Sequence, residues 1–526
     1  MALLVSLALV AAACGSDDSD SSDAAATTTT ASGSGATTTS AAGEGSTSTT
    51  AAAPQPATLE AWEALWKKQR DDIAKRIKDN NWGKSADGKN VTGPLGYTID
   101  LTKCPAGWSD TEGLTDDSIK VGFAIAASGP LAEYNNYTIG IRSVLDYYNN
   151  KGGFPDVNGK TRKINFIAKD DGYDPARTIP IVDEYLDSDK VFAVWTSGSP
   201  STLKTYDKIN QRCVAHPMAV TGHPAWGDPV NHPWTSGAPA LVYSTEAILW
   251  ATFLSQHASE IPPTDKIKVA ALVINNDFGK IYDASFKAAV AGTPNLKDRV
   301  EYKTDTLEPS APTITDQMTT LAAGKPDMFI AMTAGTSCTQ AVTEAAQNGM
   351  HDSTKWLFQP ATCAGTAFVK KEKVGGDGSA ANQWWIMNPG QKDLTDKAFA
   401  NDVYVKWARE QVQAQGANPD ASSLFSAGII LGWSFVQFVD IASQLPGGLT
   451  RTNFTLAQRA IDMTNPMYLA GVKFHTNGNK DSFFVEAGGW QQWDTASQTW
   501  ILRSPIADLD GKSSNCAWQT SSSTCG

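Results

Sequence analysis

Short apolar segments alternate with helix-patterned stretches from residue 119 to 387, and this alternation admits few architectures. The first series of strand candidates is 119–125 (IKVGFAI), 163–169, 191–195 and 213–220. After a helical stretch near 244–258 the pattern restarts at 266–274, 300–304, 327–333, 355–359 and 383–387. Apolar runs without polar alternation are buried on both faces, as parallel strands with helical crossovers require. The helix between the first two strands ends at Asn149-Asn150-Lys151-Gly152-Gly153, where glycine accepts the left-handed backbone that stops a helix. Two strand–helix series of similar size predict an α/β protein with two doubly wound parallel-sheet lobes. The span from about residue 58 onward also exceeds the usual size of one core.

Upstream of the first strand, Leu59, Trp62, Trp66, Ile73 and Ile77 share one face of a predicted helix over 58–78. Glu60 and Glu63 sit early in it and Lys75, Arg76 and Lys78 late, which suits the helix dipole. Residues 79–117 are rich in Gly and Asn and read as irregular, so 58–117 forms an N-terminal extension. Downstream, helices are expected near 394–415, 421–444 and 452–462. Hairpin-like strands follow around Asn477-Gly478, a strong two-residue turn signal, then Trp-rich strands through 501 and a tail over 506–526.

The N-terminus sets the expected location. Residues 5–16 read VSLALVAAACGS, an apolar run closed by Ala11, Ala12 and Ala13 before Cys14. Small residues before a cleavage point fit a signal-peptidase groove, and the cysteine after them resembles the lipobox of bacterial lipoproteins. That resemblance implies a signal peptide over 1–14, acylation of Cys14 and an extracytoplasmic protein anchored to the cell membrane by lipid. The run is too short to span a bilayer, which needs about 20 apolar residues. No Lys or Arg precedes it, a departure from the usual n-region. Residues 15–57 are almost only Ser, Thr, Ala, Gly, Asp and Pro, a composition that cannot offset its ordering entropy and predicts a disordered tether.

Net charge is −12 and no basic run occurs, which argues against nucleic acid and anionic lipid as partners. No second stretch reaches transmembrane length without charges, so the body is expected to be a soluble monomer. Cys104, Cys213, Cys338, Cys363, Cys516 and Cys525 remain once Cys14 is set aside. An even set in an oxidising compartment predicts disulfides, with more than a dozen pairings open.

Several motifs occur in a specific order. IKVGFAIAASGPLAEYNNY opens at 119; Asn149 to Gly153 closes the first helix; Asp170-Asp171-x-x-Asp174-Pro175 forms an acidic turn. VWTSGSPST spans 194–202, and Asn276-Asp277-Phe278-Gly279 follows the first strand of the second series. In order and spacing over roughly 117–500 these resemble the branched-chain amino-acid binding proteins, type I periplasmic binding proteins that feed ABC importers. The resemblance implies two lobes joined by a three-strand hinge with ligand in the cleft. It also implies a return to the first lobe after about residue 388. The first lobe would then be 118–242 with 388–470, and the second 243–387 with 471–505.

In open parallel sheets, ligands sit beyond the carboxyl ends of the strands. Ser128, in the turn after the first strand, and Ser197 and Ser199, after the third, are candidates to hold an anionic group; the rival role is a simple tight turn for Ser128 and helix capping for Ser197 and Ser199. Thr221 and Gly222 follow the fourth strand and match the family's second carboxylate- and amine-binding turn. The resemblance places Tyr134 and Phe278 as aromatics on the ligand; Thr336 and Thr362 end second-lobe strands. Asp174 before Pro175 reads as a helix N-cap rather than an acid–base group. His216, His223 and His232 lack catalytic zinc spacing, and Gly335-Thr336-Ser337-Cys338-Thr339 lacks the closing glycine of a nucleophile elbow. No metal, cofactor or catalysis is expected.

Cys338 and Cys363 lie just past adjacent predicted strands, Cys104 and Cys213 both precede first-lobe strands, and Cys516 and Cys525 are close in the tail, so these three pairs are expected. The expected function is capture of a small organic solute, amino-acid-like, carboxylate or amide, and delivery to an ABC permease. The rival is a receptor of the same fold reporting to a membrane sensor. Relatives that take free α-amino acids usually offer a second-lobe glutamate to the ammonium. The matching place in KWLFQPATCAG (355–365) holds Ala361 or Thr362, so a ligand without a free α-ammonium is expected.

Overall fold

The computed structural model describes residues 54–507, 509–510, 516–519, 522 and 524–525. Cys14, the expected signal segment and residues 15–53 of the expected tether lie outside the described residues. Helix α1 (Leu59–Asp79) opens the described chain, with Thr58 accepting the Ala61 N–H as its cap. Its apolar face is the one the spacing predicts: Trp62, Trp66, Ile73 and Ile77 are buried, and Trp66 packs edge-on against Tyr404 and Trp433. Residues 83–100 add a small antiparallel sheet, and a Cys104–Cys213 disulfide ties the extension to the first lobe.

The first lobe carries β1 (Ser118–Ile125), α2 (Asn136–Asn150), β2 (Thr161–Asp170), α3 (Pro175–Asp187), β3 (Ala193–Thr196), α4 (Ser199–Gln211), β4 (His216–Ala219) and β5 (Thr235–Gly237). Strand β1 pairs in parallel with β2 and β3. Parallel bridges Ala193–Ala215 and Ser197–Val220 join β3 to β4, which pairs with β5, so the order is β2-β1-β3-β4-β5.

The second lobe repeats this pattern. It comprises α5 (Tyr243–His257), β6 (Ile267–Ile274), α6 (Asp277–Gly292), β7 (Val300–Leu307), α7 (Thr315–Ala322), β8 (Met328–Met332), α8 (Thr336–Gln347), β9 (Trp356–Phe358) and β10 (Trp384–Asn388). Its parallel order is β7-β6-β8-β9-β10. A Cys338–Cys363 disulfide joins the start of α8 to the loop after β9.

The chain then returns to the first lobe through α9 (Val403–Ala414), α10 (Leu424–Ser443) and α11 (Arg451–Arg459). Helix α9 begins nine residues later than the 394–415 pattern suggests. Asp393, Asp396 and Asp402 each accept a backbone N–H two residues on, which breaks 393–402 into separate turns. Helix α10 is long and apolar enough to cross a membrane, but nearly all of it is buried within the first core. It crosses α2 where Gly140 and Gly428 meet; a Cβ on Gly428 would lie 2.3 Å from the Tyr137 carbonyl oxygen.

The last crossover falls later than residue 471. Phe474, Phe484 and Val485 belong to the first core, with Phe474 on Trp433 and Phe484 on Phe438. The Asn477-Gly478 signal is a tight turn closed by Asn477 N–H to Asp481 carbonyl at 2.7 Å, not a long hairpin. The second sheet gains its antiparallel edge only at β11 (Gly489–Asp494) and β12 (Thr499–Leu502). Beyond it, Cys516 and Cys525 form a third disulfide, and the Cys516 N–H donates to Gly227 O in the first lobe.

Candidate ligand-binding cleft

Each parallel sheet reverses its winding between its first and third strands, β1/β3 in one lobe and β6/β8 in the other. Adjacent strand ends at such a switch point send their connections to opposite faces and leave a crevice beyond the carboxyl edge. The two crevices face each other here. Ala126, Ser197, Gly198 and Ser199 from the first lobe, and Phe278 and Ala334 from the second, line one cavity of about 50 Å³.

The first-lobe wall is polar. Ser199, the first residue of α4, and Thr221, after β4, have their hydroxyl oxygens 2.7 Å apart, and both side chains are buried. The hydroxyl of Thr221 also lies 3.5 Å from that of Tyr243. Gly198 has a φ of +81°, and a Cβ there would meet the Tyr173 ring at 2.3 Å. Tyr173 is itself left-handed, φ +63°, in the Asp170-to-Asp174 turn. Asp171 accepts the Tyr173 N–H, and Asp174 caps α3 through the Ala176 N–H. Burial would raise the Asp170 carboxyl, but donors from Ser128, Ala127, Gly172 and Arg177 bring it down to about 2. The acidic turn is therefore a scaffold that aims Tyr173 across the cleft.

The second lobe closes on this wall. Tyr134 donates its hydroxyl to the Thr362 carbonyl at 3.0 Å and accepts the Gly335 N–H at 3.2 Å. Asn276, the N-cap of α6, reaches the Tyr173 hydroxyl at 3.4 Å. Ala126, Leu131 and Tyr134 belong to the second lobe's core cluster. Behind the cleft, Glu246 is fully buried; it accepts from the Tyr282 hydroxyl at 2.5 Å and the Ala361 N–H at 2.7 Å. Burial pushes its carboxyl up to about 8 against those two donors.

A larger cavity of about 180 Å³ lies on the hinge side, against the crossover segments 238–241 and 387–391. It shares Tyr137, Val220, Tyr243 and Thr362 with the smaller one. Apolar side chains including Leu241, Met387, Phe399, Leu424, Leu431 and Trp500 line most of it, and Asp393 and Asp396 line it too. Burial pushes the Asp393 carboxyl up to about 6.

Tyr134, Ser197, Ser199, Phe278 and Thr362 line the strand-end cavity; Thr221, Gly222 and Thr362 line the hinge cavity. Ser128 and Thr336 are exposed and line neither. Gly222 is in close contact with Tyr243, whose ring a Cβ would meet at 2.5 Å. The sequence pattern does not single out Tyr137, Tyr173 or Tyr243, which also line these cavities. The Gly-Tyr pair at 172–173 was the available signal for one of them, because two left-handed residues in a row redirect a side chain.

The other motifs have structural partners. His216 sits between the Thr196 and Thr235 hydroxyls, and burial takes it down to about 3. His232 is bracketed by Asp207 and Asp228, which hold it up at about 9 against burial. Ser337 donates to the Ala334 carbonyl, and Cys338 is disulfide-bonded. Away from the cleft, His475, Asp481 and Asp510 place their ligand atoms within 4.8 Å of one another. His475 is hydrogen-bonded to Asp481, however, and Lys473 is paired with Asp510.

A family model described as periplasmic binding protein matches residues 118–482. A search of curated proteins finds no match. Among solved structures, a branched-chain amino-acid ABC transporter protein from Thermus thermophilus with bound valine is 12% identical, with TM-score 0.64, covering 75% of this chain and 97% of that one. A fatty acid ABC transporter substrate-binding protein from Thermomonospora curvata is 16% identical, with TM-score 0.61 and coverage of 78% and 98%. A solute-binding protein from R. palustris in complex with 4-hydroxybenzoate is 15% identical, with TM-score 0.58 and coverage of 75% and 98%. These likenesses establish the shared two-lobe fold, and the match across most of the chain means that it belongs to the periplasmic binding protein family.

Proposed function

We propose that this protein captures a small organic solute between its lobes outside the cytoplasm and delivers it to an ABC permease. The observation that carries this reading is the closed cleft, with hydroxyls of Ser199 and Thr221 on one wall and Tyr134 bonded to the other. Capture by hinge closure requires two lobes with complementary strand-end surfaces and no bond-making step. The protein has no catalytic role in this reading and needs no cofactor. Its neighbours in fold include proteins solved with valine and with 4-hydroxybenzoate, so the architecture accommodates carboxylates with and without an ammonium group.

The ligand of this chain is a carboxylate or amide without a free α-ammonium. Neither Ala361 nor Thr362 carries a charge, and a desolvated ammonium without a carboxylate partner costs several kcal/mol. Glu246 stands beside Ala361, but it is fully buried and already occupied by Tyr282 and the Ala361 N–H. The Cys14 lipid anchor completes the proposal by holding the body at the membrane where the permease sits.

A thermal-shift screen of amino acids, amides, short carboxylates and aromatic acids, followed by calorimetry, tests it. A ligand that binds only the native state raises the melting temperature. Leucine or valine bound at micromolar affinity overturns the ammonium exclusion and leaves capture standing; no shift from any compound overturns capture. Membrane retention of a Cys14→Ser protein overturns the anchor.

A further inference from the structure

We propose that the solute is elongated, with a hydrogen-bonding head beside Ser199 and Thr221, an apolar body in the hinge cavity, and a far end that carries no negative charge. This rests on the solute-capture reading and adds the ligand's shape and polarity. The strand-end cavity, at about 50 Å³, leaves room for little more than a head group. The volume lies in the hinge cavity, at about 180 Å³. An apolar cavity of roughly 150 Å³ accepts one benzene ring, so the hinge cavity is sized for a ring or a short alkyl chain.

The two spaces adjoin. Tyr137, Val220, Tyr243 and Thr362 line both. Thr221 lines the hinge cavity while its hydroxyl contacts Ser199, which lines the other, so one pair of hydroxyls stands at the junction. A carboxylate or amide held there points its body towards the hinge. Polarity then selects among bodies. Among the described residues no Lys, Arg or His lines the hinge cavity, whereas Asp393 and Asp396 do. A second carboxylate on the solute would face two like charges in a mostly apolar space. A neutral or cationic far end would not.

Calorimetry on the purified full chain with butyrate, hexanoate, octanoate, 4-phenylbutyrate and suberate, and with valine and acetamide as short probes, decides it. Affinity is expected to rise about threefold to fourfold per added methylene from butyrate to octanoate. Suberate is expected at least about tenfold weaker than octanoate. Ala427→Phe, which fills the hinge cavity, is expected to abolish the chain-length dependence and to weaken octanoate most. The length series needs no variant, so it stands even if Ala427→Phe misfolds. Flat affinity across the series, or suberate equal to octanoate, overturns the inference. Binding of valine or acetamide without chain-length dependence among the acids overturns it and leaves solute capture intact. No heat from any probe, with no shift in the wider thermal screen, overturns both.

Discussion

The hydroxyl of Tyr134, from the first lobe, donates to the carbonyl oxygen of Thr362, in the second, at 3.0 Å and accepts the Gly335 N–H at 3.2 Å. One phenol thus holds two second-lobe backbone groups, each on a loop that follows a strand of the switch-point sheet. Tyr134→Phe keeps the ring packing against Tyr137 and Phe368 and deletes both bonds. A net loss of about 1–2 kcal/mol in the closed form is expected, a shift of roughly fivefold to thirtyfold toward the open form. Small-angle scattering of the ligand-free protein should report a larger radius of gyration for the variant. An unchanged radius would show that closure does not depend on this phenol.

Gly428→Ala should destabilise the first lobe even though alanine is the better helix former. Helix propensity favours alanine by about 1 kcal/mol, but its Cβ would sit 2.3 Å from Tyr137 O and 2.8 Å from Gly140 Cα. Overpacking of this kind costs about 1–3 kcal/mol, and α2 must move to relieve it. Tyr137 on α2 and Ala427 on α10 both line the hinge cavity, so ligand affinity should fall with the melting temperature. A variant as stable as the parent removes the close-crossing argument.

The cysteines, the sheets and the first-lobe wall were legible because each depends on local pattern. Unbroken apolar strands identify parallel sheets, and Ser199 and Thr221 follow strands whose ends the patterning locates to within a few residues. The hinge cavity was not legible. Leu241, Met387, Leu424 and Trp500 come from four distant segments, and each reads as ordinary core until the crossovers bring them together. Ser128 and Thr336 miss the cavities for the opposite reason. Their turns lie at the strand ends, but Ser128 is directed to Asp170 and Thr336 to solvent. The delayed return at Gly489 escaped because a turn signal at Asn477-Gly478 specifies a reversal and not the sheet it joins.

Disrupting the Cys338–Cys363 bond should weaken both stability and binding. It closes a loop of 25 residues, for which chain-entropy arguments give about 3 kcal/mol. It also fixes the segment that presents Thr362 to Tyr134 and to both cavities. A Cys338→Ala/Cys363→Ala protein is expected to melt several degrees lower and to bind its best ligand less tightly. The Cys516→Ala/Cys525→Ala protein, altered only in the C-terminal tail, should bind as the parent does. Equal affinity in both would separate the second-lobe disulfide from the site.

Glu246 gives a pH dependence with a definite sign. Its carboxyl is raised in the folded protein to about 8 from an ordinary 4.5, chiefly by burial. Between those values the folded state holds a proton that the unfolded chain has released, so stability falls as pH rises. The contribution is fully present below pH 4.5, declines from there and is lost once pH passes about 8, on the order of 5 kcal/mol at most. Glu246→Gln keeps an acceptor for the Ala361 N–H and cannot ionise. The melting temperature of the parent should therefore drop more between pH 5 and pH 8 than that of the variant. His216, depressed to about 3 by burial, acts in the other direction: its contribution is present above pH 6.5 and is lost as pH falls toward 3. A His216→Gln protein should accordingly lose less stability on acidification over that range. Parallel pH profiles for the parent and Glu246→Gln would mean that the carboxylate is ionised where it is buried, with Tyr282 and the Ala361 N–H sufficient to hold its charge.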